Sequence, residues 1–259
     1  MGETKIEWAD ATWNPITGCS KISPGCQNCF AERMARRLAG RYGYPKDNPF
    51  SVTFHTDKLQ EPLKWKKPKR VFVCSMGDLF YKDVKTFQLN SIFTIINASW
   101  LHDMGHQFLI LTKRPSRMKK YIFEHRHFET APCYYETSNV WLGVTAENQR
   151  CADLRIPILL QIPASVRFIS VEPMLEPIHI KKQWFIEAHT MRRQIDLIIL
   201  GCESGPNRRP CKIEWMIDLV EQCQAAGVSV FVKQININGR VSHDMEEWPV
   251  NLRVREFPK

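Results

Sequence analysis

The feature that most constrains the fold is a repeated alternation of short apolar runs with stretches of helical pattern. The runs are mostly apolar and four to six residues long, which is typical of strands buried on both faces of a parallel sheet. Helical patterns between several of the runs predict crossover helices. The runs lie at 71–75, 108–112, 140–145, 166–171, 197–200 and 228–232, and the clearest helical patterns at 31–42, 87–101, 147–162 and 213–226.

A further β-prone segment at 11–17 precedes these runs and brings the count to about seven strands. Parallel strands joined by helices build either a (β/α) barrel or a doubly wound sheet. No glycine-rich nucleotide-binding fingerprint follows a strand, which weighs against a nucleotide-binding doubly wound sheet. We therefore expect an α/β fold with one domain over residues 1–259, a (β/α) barrel, partial or closed, of about six to seven parallel strands.

Polar or ionisable side chains follow each predicted strand at its carboxyl end. In a barrel and in a doubly wound sheet, ligands bind at these ends. One such residue is commonly only a helix cap, but a whole series at one edge predicts a functional site. The carboxylates in the series remain candidates for caps as well as for ligand contacts. The strand-end residues are Cys19, Ser75, Gly77, Asp78, Thr112, Lys113, Arg114, Thr145, Glu147, Ser170, Glu172, Cys202, Glu203, Ser204, Lys233 and Gln234.

Three cysteines, Cys19, Cys26 and Cys29, stand at C-x6-C-x2-C spacing between a predicted strand and a predicted helix. Thiolates at this spacing suit iron or zinc better than a structural disulfide. The Pro24-Gly25 pair lets the chain turn back, so that the first cysteine can meet the other two. The N–H groups at the start of the following helix favour a bound anionic cluster.

Two metal sites are consistent with three cysteines. A 4Fe-4S cluster would leave one iron open for a ligand that is not protein, whereas zinc would need His55 or Cys74 as a fourth ligand. Cys202 stands at a strand end, where its thiol could face a cavity. The other cysteines, namely Cys74, Cys133, Cys151, Cys211 and Cys223, are predicted to be small buried hydrophobes.

The charge of the chain makes an anionic partner plausible on physical grounds. Lys and Arg outnumber Asp and Glu by 36 to 27, which gives a formal net charge of +9. We expect an anionic substrate, such as a nucleic acid or nucleotide, to enter over Lys113, Arg114 and Lys233, with Glu172 and Glu203 also facing it. A generally basic protein surface is the alternative explanation.

Two features of the sequence bear on location. No stretch reaches eighteen uninterrupted apolar residues, so no membrane span is expected. The first residues contain no apolar signal region, which predicts a cytoplasmic protein.

Several motifs occur in a fixed order along the chain: Trp13-Asn-Pro-x-Thr-Gly-Cys-x6-Cys-x2-Cys-Phe-Ala-Glu-Arg, Ser75-Met-x-Asp-Leu-Phe, Leu111-Thr-Lys-Arg-Pro, Trp141-Leu-Gly-Val-Thr-x-Glu-Asn, Ser170-Val-Glu-Pro and Gly201-x-Glu-Ser-Gly. Together they resemble a family of phage and bacterial three-cysteine-motif proteins that are radical S-adenosylmethionine (SAM)-like and distantly similar to spore photoproduct lyases. The resemblance covers about residues 5–235. The sequence departs from the usual radical SAM spacing, C-x3-C-x2-C, in its first gap.

The resemblance implies a radical SAM enzyme. Cys19, Cys26 and Cys29 would hold three irons of a 4Fe-4S cluster, and the fourth iron would bind the amino and carboxylate groups of SAM. An electron from a donor such as flavodoxin or ferredoxin would then cleave SAM to methionine and a 5′-deoxyadenosyl radical, which abstracts hydrogen from the substrate.

The resemblance also implies roles for individual strand-end residues. Gly77 and Asp78, with Ser75 beside them, would contact the SAM amino group, and Thr145 and Glu147 would lie near its ribose or carboxylate. Cys202 stands where the family more often has glycine. Because spore photoproduct lyases use a cysteine as a hydrogen-atom donor, the resemblance makes this thiol a candidate for that role.

Two rival hypotheses use the same residues differently. In the first, the protein is a zinc-stabilised nucleic-acid-binding protein without catalysis. In the second, it is a barrel enzyme whose cysteines hold a purely structural metal. An iron–sulfur absorbance would separate the radical SAM hypothesis from both.

Overall fold

A computed structural model of the chain describes residue 4 and residues 6–124, 139–186 and 194–258. The helices in these ranges are α1 (Phe30–Arg37), α2 (Thr86–Leu101), α3 (Pro115–Glu124), α4 (Gln149–Leu159), α5 (Lys182–Phe185) and α6 (Ile213–Ala225). The strands are β1 (Ala11–Trp13), β2 (Ile16–Thr17), β3 (Thr53–Phe54), β4 (Arg70–Val73), β5 (Gln107–Thr112), β6 (Val140–Thr145), β7 (Val166–Val171), β8 (Leu197–Gly201), β9 (Ser229–Ile237) and β10 (Arg240–Ser242).

Eight strands form one sheet in the order β1-β4-β5-β6-β7-β8-β9-β10. β4 is parallel to β1 and β5, and β8 is parallel to β7 and β9, while β10 lies antiparallel to β9. A mostly parallel sheet with helices between its strands confirms the predicted α/β class. Within the described ranges no pairing joins β1 to β10, so the closed form of the barrel is not observed.

The six predicted apolar runs correspond to the six strands from β4 to β9. The predicted strand at 11–17 is instead two short strands, because Pro15 has no N–H to donate and interrupts the ladder. The second piece, β2, pairs with β3 in a small antiparallel sheet of its own. The predicted helix at 31–42 ends early, since Gly40 adopts a left-handed conformation (φ +71°).

The chain divides into two compact units. The first unit consists of Met1–Ile22, Cys29–Leu142 and Pro163–Ser165, and the second of Ser23–Asn28, Gly143–Ile162 and Val166–Lys259. The prediction of one domain over residues 1–259 stays a prediction.

The core of the first unit is rich in aromatic side chains. Trp13 is fully buried, and its indole N–H donates to the Lys58 carbonyl at 2.9 Å. Its ring meets Phe108 edge-on, with centroids 5.8 Å apart, and Phe93 stacks on Tyr121. The buried indole therefore keeps its polar group satisfied while fixing β1 against β4 and β5.

In the second unit, the segment 254–256 lies along β9. The Val232 N–H donates to the Val254 carbonyl at 2.9 Å, and the Glu256 N–H donates to the Val230 carbonyl at 2.8 Å. The guanidinium of Arg255 lies 5.3 Å from the ring centroids of Phe231 and Trp248. The segment 254–256 thus bonds to β9 at Val230 and Val232, whereas β10 pairs with β9 further along, at Ile235–Ile237.

None of the helices in the described part of the chain has both the length and the apolar character needed to cross a membrane.

Candidate functional site

The described cysteines fall into two environments. All eight are free thiols, and five of them are buried. The three that are only partly buried are Cys19, Cys26 and Cys29, the members of the C-x6-C-x2-C motif. The predicted burial of the remaining cysteines is confirmed for Cys74, Cys151, Cys211 and Cys223, and Cys133 lies outside the described residues.

Two glycines place Cys19. Gly18 forms a parallel bridge with Gly77 and donates its N–H to the Met76 carbonyl at 3.0 Å. A Cβ on Gly77 would lie 2.8 Å from the Gly18 carbonyl oxygen, so a side chain there would push the two segments apart. The Cys19 N–H donates to the Phe50 carbonyl at 3.2 Å, which fixes the backbone of the cysteine itself.

Ser75 is held by Asn14, which is not among the site residues predicted from the sequence. The side-chain oxygen of Asn14 accepts from the Ser75 hydroxyl at 3.1 Å and from the Met76 N–H at 3.0 Å. Asn14 follows β1, whose neighbour β4 leads into Ser75. The amide therefore ties together the ends of two adjacent parallel strands.

Asp78 is the centre of a hydrogen-bond network in the first unit. Its Oδ1 accepts from the Thr112 hydroxyl at 2.7 Å and from the Phe80 N–H at 2.9 Å. Its Oδ2 accepts from the Lys113 N–H at 3.1 Å and from Arg114 Nη1 at 2.9 Å. A carboxylate has about four acceptor positions, so all of them are used within the protein. The predicted contact between Asp78 and the SAM amino group stays a prediction.

Arg114 lies directly beside a motif cysteine. Its Nη1 donates to Cys19 Sγ at 3.3 Å, and its Nη2 donates to the Ser20 carbonyl at 2.8 Å. The guanidinium carbon lies 4.8 Å from the ring centroid of Tyr81. Burial opposes the charge, but Asp78 and the Cys19 sulfur outweigh it and raise the pKa of Arg114. The guanidinium thus presents both a positive charge and an N–H donor to the Cys19 sulfur.

Cys29 stands at the start of α1. It occupies the N-cap position, and its carbonyl accepts the Arg33 N–H at 3.2 Å. The first turn of a helix leaves N–H groups without intrahelical partners, and these favour a negative group. This agrees with the predicted strand-loop-helix setting of the motif.

Cys26 lies in a short 3₁₀ turn, Pro24–Cys26, in the second unit. Its N–H donates to the Ser23 carbonyl at 2.9 Å. The N–H of Gly25 donates to Glu147 Oε1 at 3.2 Å. A Cβ on Gly25 would approach the carboxyl carbon of Glu147 to 3.1 Å, so the glycine allows this close contact. The strand-end carboxylate thus holds the turn that carries the cysteine.

Glu147 is itself held by Arg155 of α4. Arg155 Nη1 donates to Glu147 Oε2 and to the Thr145 carbonyl, each at 2.7 Å. The Glu147 side chain is 0% exposed and the Arg155 side chain 9% exposed, so the two form a buried ion pair. Arg155 is not among the site residues predicted from the sequence, although its position in the otherwise apolar buried face of α4 indicates a buried partner.

Glu203 holds the chain just after the Pro24–Cys26 turn, as Glu147 holds the turn itself. Its Oε2 accepts from Asn28 Nδ2 at 3.0 Å and from the Arg209 N–H at 2.8 Å. Arg209 also pairs with Oε1 of Glu203 and donates to the Pro24 carbonyl at 3.0 Å. Burial alone would raise the pKa of Glu203, but the hydrogen bonds from Arg209 and Asn28 outweigh it and lower the pKa.

The lowered pKa of Glu203 predicts a pH dependence. Its stabilising contribution is present above the unfolded glutamate pKa of about 4.3 and disappears as the pH falls through the lower folded-state value. We expect Glu203→Gln to be less stable than the wild type at neutral pH and to lose less stability on acidification. Urea unfolding between about pH 7 and pH 3 measures this, with the exposed Glu214→Gln as the control. Equal pH dependence in Glu203→Gln and the wild type would contradict it.

Cys202 and its neighbours form a second polar group in the second unit. Cys202 is 1% exposed, and its N–H donates to the Gln234 carbonyl at 3.2 Å. Burial, together with the nearby Glu172 carboxylate, raises the pKa of the thiol to about 12. Glu172 pairs with Lys233. The convergence of these three strand ends is therefore observed, while the predicted role of Cys202 stays a prediction.

The two candidate zinc ligands are both buried. His55 is 4% exposed, and its Nε2 lies 2.8 Å from the Thr17 hydroxyl. Burial lowers the pKa of His55, which favours the neutral ring. Burial raises the pKa of the Cys74 thiol to about 12. Both environments are those of packed core residues.

Comparison with protein-family profiles gives a match. The sequence profile of a protein family described as "Protein of unknown function (DUF5131)" matches residues 3–248. Searches of curated proteins and of solved structures return no match. Because the profile covers nearly the whole chain, the protein belongs to the DUF5131 family.

Proposed function

We propose that this protein is a radical SAM enzyme, built on a partial (β/α) barrel, in which Cys19, Cys26 and Cys29 hold a 4Fe-4S cluster. The observation that carries the proposal is the difference between the motif cysteines and the rest. The three motif thiols are only partly buried, whereas every other described cysteine is buried. Three accessible thiolates suit an iron–sulfur cluster with one open iron.

When bound, the cluster would supply the electron that cleaves SAM. The protein's own residues would hold the sulfurs in place. The Gly18–Gly77 bridge and Arg114 fix the surroundings of Cys19. In the second unit, Glu147 and Glu203 fix the two ends of the turn that carries Cys26. The parts assigned to Gly77, Asp78, Thr145 and Glu147 in SAM binding rest on the family resemblance.

Cys202 is proposed as a hydrogen-atom donor to a substrate radical. A hydrogen-atom donor must keep its S–H, and the raised pKa of this thiol keeps it protonated at neutral pH. Cys202→Ala should still cleave SAM but give a different product. An unchanged product and rate would return Cys202 to a packing role.

The decisive experiment is anaerobic reconstitution with iron and sulfide, followed by reduction in the presence of SAM. A brown protein with absorbance near ~400 nm and formation of 5′-deoxyadenosine would support the proposal. Dithionite serves as the reductant in this experiment. The expected physiological electron donor is a flavodoxin or a ferredoxin. Tightly bound zinc without iron–sulfur absorbance would overturn it in favour of the zinc-stabilised nucleic-acid-binding protein.

The proposed substrate is anionic, such as a nucleic acid or nucleotide. Arg114 and Lys233 each have a carboxylate partner, Asp78 and Glu172, which balances much of their charge. The test uses Lys113, whose backbone N–H donates to Asp78 Oδ2 at 3.1 Å and so fixes the residue at the end of β5.

We expect a labelled single-stranded oligonucleotide to bind with an affinity that falls steeply as salt rises, since binding releases counterions. Lys113→Ala should weaken binding and reduce the salt slope by about one, as for a phosphate contact. The control is Lys120→Ala, because Lys120 lies on α3 with its side chain 72% exposed. Equal affinity at low and high salt would count against a nucleic-acid substrate.

A further inference from the structure

Among the described residues, Arg114 contacts a motif cysteine directly. Its Nη1 donates to Cys19 Sγ at 3.3 Å. We propose that Arg114 is a positioning residue that raises the reduction potential of the cluster bound by Cys19, with Asp78 setting how strongly it does so. This inference rests on the proposed function. It gives Arg114 a task different from the substrate contact expected from the sequence.

The guanidinium is fixed on three sides. Asp78 Oδ2 accepts from Nη1 at 2.9 Å, and the Ser20 carbonyl accepts from Nη2 at 2.8 Å. Tyr81 covers one face of the guanidinium. The Arg114 side chain is only 13% exposed, so water screens its charge little. A planar fork held in this way points one N–H at the sulfur and cannot easily turn elsewhere.

A hydrogen bond to a ligating sulfur changes the cluster potential in a known direction. Reduction adds negative charge to the cluster and its sulfurs, and hydrogen bonds to the sulfurs are among the factors that set the potential. A nearby cation stabilises the reduced state more than the oxidised state. Removing Arg114 should therefore make the cluster harder to reduce.

Asp78 acts on the same charge with the opposite sign. Its carboxylate accepts from Arg114 and from Thr112, so it both orients the guanidinium and partly neutralises it. Replacement by asparagine keeps the shape and leaves the cation less compensated. The cluster in Asp78→Asn should therefore be easier to reduce than in the wild type.

The test is a redox titration of the anaerobically reconstituted protein, followed by electron paramagnetic resonance. We expect Arg114→Gln to lower the midpoint potential by at least the equivalent of a tenfold change in the reduction equilibrium, about 59 mV for one electron. Arg114→Lys keeps the charge without the fork and should lie between Arg114→Gln and the wild type. Asp78→Asn should shift the potential upward, a sign that general damage to the fold would not produce.

The control is Arg70→Gln, which removes a cation from the same unit where it pairs with Asp10 and should leave the potential unchanged. A wild-type protein that forms no cluster overturns the proposed function and this inference together. A wild-type cluster with unchanged potentials in Arg114→Gln and Asp78→Asn overturns this inference alone. If Arg114→Gln does not fold, Arg114→Lys and Asp78→Asn still decide it.

Discussion

Replacing Cys26 with alanine is expected to abolish the iron–sulfur absorbance near ~400 nm and the formation of 5′-deoxyadenosine. A cluster on three cysteines has no spare protein ligand, so the loss of one thiolate should remove the whole group. The measurements are iron content, absorbance and SAM cleavage after anaerobic reconstitution. Cys19→Ala and Cys29→Ala should behave in the same way.

Cys223→Ala is the matched control for this prediction. Cys223 is fully buried on α6, and alanine is a good helix former, so the variant should lose a little stability and keep its iron. A Cys26→Ala protein that still binds a full cluster and cleaves SAM would contradict the assignment of the motif. Loss of iron in the control would show that the assay reports folding rather than ligation.

Glu147→Ala is expected to destabilise the protein by about 3 to 5 kcal/mol. It removes one partner of a buried ion pair and leaves the Arg155 guanidinium without its carboxylate. It also takes the acceptor from the Gly25 N–H in the turn that carries Cys26. Urea unfolding monitored by circular dichroism measures the free energy of unfolding, and the slope with urea should stay the same.

Two variants show whether the effect comes from burial of the charge. Asp153 lies on α4, as Arg155 does, but it pairs with Lys181 at the surface. Asp153→Ala should therefore change the free energy of unfolding little. The double variant Glu147→Leu with Arg155→Met should recover much of the loss, because no buried charge is then left unpaired. If Glu147→Ala were as stable as Asp153→Ala, the buried pair would not hold this part of the structure.

Much of the sheet is predictable because a strand buried on both faces has few alternatives. The run at 166–171 is apolar at four of its six positions and matches β7 in both bounds. Short polar elements are less predictable from the same pattern. The β2–β3 pair and β10 have two or three residues per strand, too few for a periodicity to be visible.

The residues that lie at the strand ends can be predicted from the sequence, but their side-chain contacts cannot. Parallel topology brings strand ends together, and it places Asp78 near Thr112 because β4 and β5 are neighbours. It does not say that Arg114 folds back onto the Cys19 sulfur, since a long side chain has many rotamers. The partner of Glu147 comes from a helix, Arg155, and depends on packing that no strand pattern contains.

The segment along β9 has a consequence for shortened versions of the protein. The family profile ends at residue 248, before Val254 and Glu256, whose backbone groups pair with β9. A chain cut at the profile boundary would leave the Val232 N–H and the Val230 carbonyl without these partners. Unpaired backbone groups along a strand invite other chains to add to it and aggregate. Truncations made for crystallisation should therefore retain residues 254–256.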